Sequence, residues 1–195
     1  MRIAARVSCV LLMAFVAWGC GSAGVTDRVL DDPAEDVAAA MGPDVVGVAV
    51  ERDADTITFR VRFAADPPLG LDQGDGWVDM LLIGIDVPPP GAPPVAPGGE
   101  WPGADFALGT HGPSSRGIFV RLTAEGAPAM NAEIPIETEG TTLSLRVPRR
   151  ELGDPARFLV SVAAGREWNE AGDEPPGAQP DVAPDTGTWA VDFGG

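Results

Sequence analysis

The amino-acid sequence predicts an all-β protein, folded as a two-sheet antiparallel β-sandwich of about nine strands. Three observations carry this prediction. After residue 44, apolar and polar side chains alternate with a period of two, which is typical of strands with one buried face. Clusters of Pro and Gly separate the alternating segments, and the chain contains 20 Pro and 25 Gly. No long segment has the 3.6-residue period of an amphipathic helix.

The predicted strands follow one another with a turn or a loop between each pair. The first two form a hairpin that turns at residues 52–55. Residues 77–87 are apolar on both faces in their middle, which predicts a central strand, with Trp77 at its start as a candidate core residue. Residues 134–136 contain Pro135, which cannot donate to a ladder, so this strand is predicted at a sheet edge. The other strands are marked by Val46, Val48 and Val50; Ile57, Phe59, Val61 and Phe63; residues 104–109; Ile118, Val120 and Leu122; Leu143, Leu145 and Val147; Phe158, Val160 and Val162; and Trp189, Val191 and Phe193.

Loops and one helical turn complete the pattern. Residues 88–103 form a long loop rich in Pro and Gly, which cannot join a sheet ladder. Residues 165–187 form a second long loop, and residues 65–76 a shorter one. Residues 148–153 predict a single helical turn. Long loops on a rigid sandwich are the usual place for binding residues, so the candidate site is sought there.

The first 19 residues are predicted to be a cleaved signal peptide. Residues 1–6 are short and basic, and residues 7–18 form an apolar run of 12 residues. This length is typical of a signal peptide and is too short to span a bilayer as a helix. The mature chain would therefore begin at Cys20, outside the cytoplasm.

Cys20 is predicted to carry a lipid anchor. The sequence Ala17-Trp18-Gly19-Cys20 resembles a bacterial lipobox. The chain has two cysteines, and cleavage before Cys20 removes Cys9, so the mature chain cannot form an internal disulfide. Acyl chains such as palmitate on Cys20 would account for this single thiol, and several chains together anchor a protein stably. A free or dimer-forming thiol is the alternative.

The mature chain is predicted to form one domain. Residues 20–30 would hold the lipidated cysteine and a flexible tether, and residues 31–195 would form the β-sandwich. Asp32-Pro33 is a good helix start and Gly42-Pro43 a good stop, so a short N-terminal helix is predicted, with an acidic loop as the alternative. This organisation places the protein in the cell envelope, lipid-anchored and facing the extracytoplasmic side.

The charge of the chain excludes nucleic acid as a partner. The formal net charge is −16, and all 13 basic residues are Arg. Arg2 and Arg6 lie in the leader, so the mature chain carries 11 Arg against 29 acidic residues. Such a surface repels phosphates, because nucleic-acid binding depends on clustered basic residues. An acidic surface instead suits solubility or divalent cations.

A series of landmarks along the mature chain resembles a known family. The landmarks are Asp32-Pro33, Pro43-Asp44-Val45-Val46, Thr56-Ile57-Thr58-Phe59-Arg60-Val61, Ile85-Asp86, Gly103-Ala104-Asp105-Phe106-Ala107-Leu108, Val147-Pro148-Arg149 before Leu152-Gly153, and Pro184-Asp185-Thr186-Gly187-Thr188-Trp189. Together they resemble extracellular β-sandwich domains of the DOMON-like and family 9-like carbohydrate-binding kind. The resemblance covers nearly the whole mature chain, and it implies a sandwich that binds a ligand such as a carbohydrate.

Two tryptophans in the long loops are the candidate ligand-binding residues. Trp101 and Trp168 lie in these loops, where an exposed indole can stack on the apolar C–H face of a sugar ring. Glu100 and Asn169 lie beside them and can bond sugar hydroxyls. The alternative is that both tryptophans fold down and cover the ends of the sandwich.

Acid-rich segments are the candidate metal site. Calcium takes about six to eight oxygen ligands, which acidic loops can supply. The candidate ligands are Asp31, Asp32, Asp36 and Asp185. Solvated acids without a metal are the alternative. No cofactor other than this candidate calcium ion is predicted.

The sequence contains no signature of a catalytic site. It has no Gly-x-Ser-x-Gly elbow, no phosphate-binding loop and no HExxH motif. A Ser–His–Asp set would have to use His111, the only histidine, and nothing in the sequence places a serine beside it. The protein is therefore predicted not to be an enzyme.

These observations predict a non-enzymatic cell-envelope lipoprotein that binds a ligand, with a glycan as the first hypothesis. The alternative is a structural or protein-interaction lipoprotein whose partner is another envelope protein. A secreted hydrolase is the third hypothesis, and it predicts two facing carboxylates or a Ser–His contact in a cleft. In the first two cases the lipid anchor is the contact with the membrane.

Overall fold

The computed structural model describes residues 26–33, 43–66, 68–69, 77–89, 104–111, 115–123, 128–168, 181–184 and 188–194. The predicted signal peptide, Cys20 and residues 21–25 lie outside these ranges, as do residues 34–42 of the predicted N-terminal helix. Among the described residues, no helix has the length and apolar character needed to cross a bilayer.

The described chain consists of antiparallel strands and one short 3-10 helix, so the predicted all-β class is confirmed. There are eleven strands rather than about nine. The elements are β1 (Thr26–Asp31), β2 (Val45–Arg52), β3 (Thr56–Phe63), β4 (Trp77–Asp86), β5 (Phe106–His111), β6 (Arg116–Leu122), β7 (Pro128–Glu139), β8 (Thr142–Pro148), η1 (Arg149–Leu152), β9 (Arg157–Trp168), β10 (Asp181–Ala183) and β11 (Trp189–Asp192).

The strands form one continuous sheet in the order β1-β2-β3-β8-β7-β6-β5-β4-β9-β10, and β11 also pairs with β9. Strand β7 joins the two parts of this sheet, because its first part pairs with β6 and its second part, from Ile136, pairs with β8. The prediction of an edge strand at residues 134–136 is therefore wrong. Pro135 lies where the pairing passes from β6 to β8, and a residue without an N–H interrupts a ladder least at such a point.

The two ends of the sheet approach each other, so that the sheet is nearly closed into a barrel. The backbone N–H of Val45, at the start of β2, donates to the carboxylate of Asp181 in β10 at 2.5 Å. Further along, Arg28 Nε of β1 donates to the carbonyl oxygen of Asp192 in β11 at 2.8 Å. We call the gap between β1–β2 and β10–β11 the seam. Among the described strands no ladder crosses the seam, so side chains hold it.

The apolar core lies inside the curled sheet. The alternation predicted for β3 is confirmed, because its four apolar side chains from Ile57 to Phe63 are all buried. The ring of Phe158 in β9 packs between Phe59 and Phe193, with centroid distances of 6.0 and 5.9 Å. Each such side chain stabilises the fold by about 2–3 kcal/mol relative to exposure to water. The core therefore ties the two edges of the sheet to its middle.

Two strands lie where the sequence predicted a tether or a loop. β1 covers residues 26–30 of the predicted tether and pairs with β2 along its whole length. The sequence of β1 is a weak signal for a strand, because neighbouring apolar residues point to opposite faces: Leu30 packs against the core, while Val29 is exposed. Residues 165–168 and 181–183, predicted as loop, instead extend β9 and form β10.

The helical turn predicted at residues 148–153 is confirmed as η1 (Arg149–Leu152), and Gly153, with φ of 77°, caps its C-terminal end. Arg149 fixes η1 to the β2–β3 turn, since its Nη1 donates to the carbonyl oxygens of Asp53 and Ala54 at 2.9 Å each. Arg149 and Asp154 also form an ion pair. We call the end of the sheet that holds Thr26, the β2–β3 turn and η1 the proximal end. The opposite end, which holds the β7–β8 turn, is the distal end.

Replacing Asp181 by Ala should loosen the seam. The change leaves the buried N–H of Val45 without its acceptor, which costs about 1–3 kcal/mol. We expect the free energy of unfolding, measured by urea denaturation, to fall by this amount, and to fall less for Asp181→Asn, which keeps an acceptor oxygen. Asp66→Ala, at an exposed acid, is the control and should change stability by less than about 0.5 kcal/mol. Equal stability of Asp181→Ala and this control would contradict the role of the carboxylate.

Neighbouring glycines in β5 and β6 give a matched pair of substitutions. A Cβ at Gly117 would lie 2.8 Å from the carbonyl oxygen of Gly109 and 3.0 Å from Cδ1 of Ile136, which forces a shift. A Cβ at Gly109 would meet its nearest atoms at 3.5 Å, an ordinary contact. Urea denaturation should therefore show Gly117→Ala to be less stable than Gly109→Ala by about 1–3 kcal/mol. The packing of β6 on β5 would be wrongly described if the two variants were equally stable.

Candidate functional site

The structure describes only part of the predicted site. Trp168 ends β9, while Asp31 and Asp32 lie at the end of β1. The predicted residues outside the described ranges are Cys20, Asp36, Glu100, Trp101, Asn169 and Asp185. The site can therefore be built upward from Trp168 and from the two aspartates.

Strands β4 and β9 bring two tryptophans into neighbouring positions at the distal end. The two strands pair without a register shift from Asp86 opposite Leu159 to Trp77 opposite Trp168. Directly opposed residues of antiparallel strands lie about 4.5–5.5 Å apart and belong to the same face. Trp168 thus belongs to a strand, and its predicted place in a loop is wrong.

Sequence reasoning missed the pairing of these tryptophans for a definite reason. The apolar alternation of β9 stops at Ala164, because Arg166 takes the next position on the same face. The remaining signal for the pairing was a tryptophan at the first position of β4 and a second one at the last position of β9. Only the register of the two strands relates them.

A partly buried ion pair lies between the positions of the two tryptophans and the core. On the face that carries Trp77 and Trp168, the next pair inward is Asp79 opposite Arg166. Arg166 Nε donates to Asp79 Oδ1 at 2.8 Å, and the two side chains are 38% and 10% exposed. The pair after that is Leu81 opposite Ala164, and both of these residues are buried. The register therefore runs from the apolar core through the ion pair to the positions of the two tryptophans.

Next to the two tryptophan positions, the ion pair of Asp79 and Arg166 offers fixed polar groups. Aromatic residues offer apolar area to C–H groups, and a few fixed polar groups set the orientation of the ligand. A guanidinium has several N–H donors, so the bond from Arg166 to Asp79 uses only part of its capacity. Because Asp79 holds the guanidinium in place, its remaining donors are fixed in direction.

The two described aspartates of the predicted calcium site have different surroundings. Asp31 forms an ion pair with Arg62 at 3.2 Å on the exposed side of β1. Asp32 is buried, and its backbone N–H donates to the carbonyl oxygen of Val46 at 3.3 Å. Within the described ranges, no three acidic, His or Cys side chains lie close enough to hold a metal ion together. The calcium site stays a prediction, because Asp36 and Asp185 lie outside these ranges.

A pair of interacting acids lies at the proximal end, where β4 ends. Burial raises the pKa of Asp86 above its ordinary value of 3.8, and the negative charge of Asp105 raises the pKa further. The Asp105 carboxylate accepts the backbone N–H of Val87 at 2.9 Å, so it supports the turn that follows β4. The hydrolase hypothesis requires two facing carboxylates. In this pair the Asp105 carboxylate already binds the backbone N–H of Val87, which favours a structural role over a catalytic one.

A shallow apolar pocket of about 320 Å³ lies on the outer face of β4, β5 and β6. Its apolar walls are Leu82, Ile118 and Val120, and Arg116 stands at its rim. Ile118 is 49% exposed, whereas most of the large apolar side chains that the structure describes are buried. The pocket is a second candidate surface for binding.

Comparison with known proteins finds no match, whether with a family model, a curated protein or a solved structure. The likeness to DOMON-like and family 9-like domains rests on the landmark residues alone. It therefore enters the function below as part of a proposal.

Replacing Asp86 by Asn should stabilise the protein at neutral pH. Since the pKa of Asp86 is raised in the folded chain, its ionised carboxylate disfavours folding at pH values above that pKa. We expect a higher Tm for Asp86→Asn than for the unmodified protein at pH 7. The difference should shrink as the pH falls through the folded pKa and should vanish below about 3.8, the ordinary value.

Thermal melts at several pH values, with Asp66→Asn as the exposed-acid control, measure this difference. The control should melt like the unmodified protein at each pH. A lower Tm of Asp86→Asn at pH 7 would mean that the ionised carboxylate makes favourable contacts that outweigh its burial.

Proposed function

We propose that the protein is a non-enzymatic lipoprotein of the cell envelope whose β domain binds carbohydrate at its distal end. The observation that carries the proposal is the register of β4 and β9, which pairs Trp77 with Trp168. In this proposal the two tryptophans form an aromatic platform, and Arg166 supplies hydrogen-bond donors. The predicted loop residues Glu100, Trp101 and Asn169 complete the site.

The cellular location of the protein is part of the same proposal. A signal peptide at residues 1–19 would direct export, and acylation of Cys20 would anchor the mature chain on the extracytoplasmic side. The resemblance to DOMON-like and family 9-like domains supports a ligand-binding role at this location. It also supports a two-sheet sandwich, and so does the change of partner along β7, which divides the strands into two groups.

Binding is proposed rather than catalysis because of the chemistry of the site. Tryptophan is neither an acid nor a base, and the Asp79 carboxylate is engaged by Arg166. A glycan platform needs no reactive group, since stacking and hydrogen bonds give affinity without bond cleavage. The composition of the distal end therefore fits recognition.

Trp168→Ala and Trp77→Ala should each weaken glycan binding by at least about tenfold, since each removes an aromatic surface worth about 1.4 kcal/mol or more. The measurement begins with an array that includes cello-, xylo- and chito-oligosaccharides, followed by calorimetry on the best ligand. Trp168→Phe keeps an aromatic ring and should retain most of the affinity. Ile118→Ser, on the outer face of β6, is the control and should bind as the unmodified protein does.

Thermal melts of each variant separate loss of the site from loss of the fold. The proposal fails if no glycan is bound, or if a bound glycan is held equally well by folded Trp77→Ala and Trp168→Ala proteins. A loss in Trp101→Ala alone would move the site to the loop of residues 88–103.

The outer-face pocket favours a second candidate, a protein-interaction role in the envelope. An exposed apolar side chain above a small pocket is a common feature of protein interfaces. This candidate predicts that a photo-reactive residue at position 118 cross-links one envelope protein in cells, whereas one at position 66 does not. It also predicts that Ile118→Ser abolishes that cross-linked complex and leaves glycan binding unchanged.

A further inference from the structure

We infer that the first half of β7 pairs with the same segment of a second copy of the chain and so forms a two-fold symmetric dimer. Neither the proposed glycan site nor the proposed lipid anchor is needed for this pairing. Three features of the segment carry the inference, namely its exposure, the direction of its backbone groups and the fit of its side chains to their own copies.

The first half of β7 is uncovered on both faces. The six residues from Pro128 to Glu133 are all exposed, whereas Ile134 and Ile136 are buried. A strand that lies on the body of a domain normally buries every second side chain. Met130, on the same face as Ile134, is 37% exposed and is one of three exposed large apolar side chains among the described residues. The segment therefore stands clear of the core.

One edge of this segment is open as well. Among the described strands, residues 128–135 have β6 on one side, and β8 takes the other side only from Ile136 onward. The backbone N–H of Ile136 donates to the carbonyl oxygen of Ser115 at 3.0 Å, on the side of β6. Because backbone groups alternate in direction along a strand, those of Asn131 and Glu133 point to the open edge. Such an edge is a template for another strand.

Two features limit the open edge to a short window. The register of β6 and β7 shifts between Met130 and Pro128, which indicates a bulge that bends the strand. At the other end, Pro135 has no N–H to offer, and β8 follows. The regular part of the edge is therefore residues 130–134, and its central residue is Ala132. A two-fold axis at this residue lets the window of one copy pair with the whole window of another.

An antiparallel pairing about Ala132 brings complementary residues together. Asn131 of each copy then lies opposite Glu133 of the other, and these two pairs exchange four backbone hydrogen bonds. The amide of Asn131 can donate to the facing carboxylate, so the polar side chains attract each other. Ala132 meets its own copy at a Cα distance of about 4.5 Å, which its methyl group permits. Met130 lies opposite Ile134 of the other copy, which makes an apolar pair on the inner face.

The neighbouring registers are less favourable. An axis at Glu133 would place two carboxylates directly opposite each other. It would also set Pro135, which lacks an N–H, against Asn131. An axis at Asn131 would bring the bulge at residue 129 into the ladder opposite Glu133. The axis at Ala132 avoids all of these conflicts.

Charge makes this edge suitable for contact between two acidic chains. The chain has a formal net charge of −16, so two copies repel each other at long range. Residues 128–134 contain a single charged residue, Glu133, which forms an ion pair with Arg116 of β6. The edge is therefore locally balanced. At about 0.15 M salt, repulsion between surface charges more than about 8 Å apart is largely screened.

Disulfide trapping tests the register. Cys9 and Cys20 are replaced by Ser, so that an introduced cysteine is the only thiol of the full-length chain. Under mild oxidation, Ala132→Cys should form a covalent dimer at least about tenfold faster than Asn131→Cys. In the inferred register, residue 132 meets its copy at about 4.5 Å, whereas residue 131 lies about 7–8 Å from its copy, too far for a disulfide.

Both positions are exposed, so the two variants should melt as the parent protein does. Equal rates of trapping, or no covalent dimer from Ala132→Cys, would overturn the inference.

Charge at position 131 tests the same contact without a cross-link. Asn131→Lys lies opposite Glu133 of the other copy and should tighten the dimer, whereas Asn131→Asp should weaken it. The two dissociation constants should differ by at least about fourfold, because each dimer contains the pair twice. Sedimentation is carried out at up to about 1 mM protein, since a ladder this short is a small interface. Ala65→Lys and Ala65→Asp, at an exposed residue after β3, are the controls for overall charge and should differ by less than about twofold.

The other occupants of the edge give different results. A chain that stays monomeric at this concentration, while a photo-reactive residue at position 131 captures a different protein in cells, would mean that the edge serves a foreign strand. A dimer that is lost in Ile118→Ser and is indifferent to charge at position 131 would belong to the outer-face pocket. Either result would rule out the pairing of β7 with its copy, and neither would bear on glycan binding.

Discussion

The buried hydrogen bond from the Val45 N–H to the Asp181 carboxylate, together with the exposed bond from Arg28 to Asp192, joins the two ends of a sheet that no described ladder closes. Every described strand lies on the path between these two ends or next to it. If the seam opened, the inner face of β2 would meet water, and β10 would keep only its short pairing with β9. At the seam, these two side-chain hydrogen bonds stand where repeated backbone bonds join the other neighbouring strands.

The position of the candidate site depends on this closed core. A slip of one residue between β4 and β9 would move Trp168 to the other face of the sheet, since side chains alternate with a period of two. The slip is opposed by the buried pair of Ile83 with Val162, which would have to leave the core. The core therefore sets the register, and the register brings Trp168 opposite Trp77. The site is a consequence of packing about 20 Å away along the strands.

Long alternating segments could be predicted from the sequence, and short or composite ones could not. The hairpin of β2 and β3 and the turn η1 follow from local pattern, because their signals lie within a few residues of each other. β10 has three residues and owes its place to Asp181, which no local pattern reveals. β7 changes partners at Pro135, so a rule that confines proline to edges fails there. The pairing of Trp77 with Trp168 could not be predicted for the same reason, since the two residues are 91 positions apart and are brought together only by the register of β4 and β9.

The way β1 enters the fold also determines how the domain would bear a load. Its backbone bonds to β2 lie across the strands, from Thr26 to Asp31. A pull on the N-terminal side, resisted at the opposite end of the domain, would load all of these bonds in shear at the same time. Bonds loaded together resist far more force than bonds peeled apart one by one. The first strand is thus placed to transmit tension along its axis to the body of the protein without unravelling.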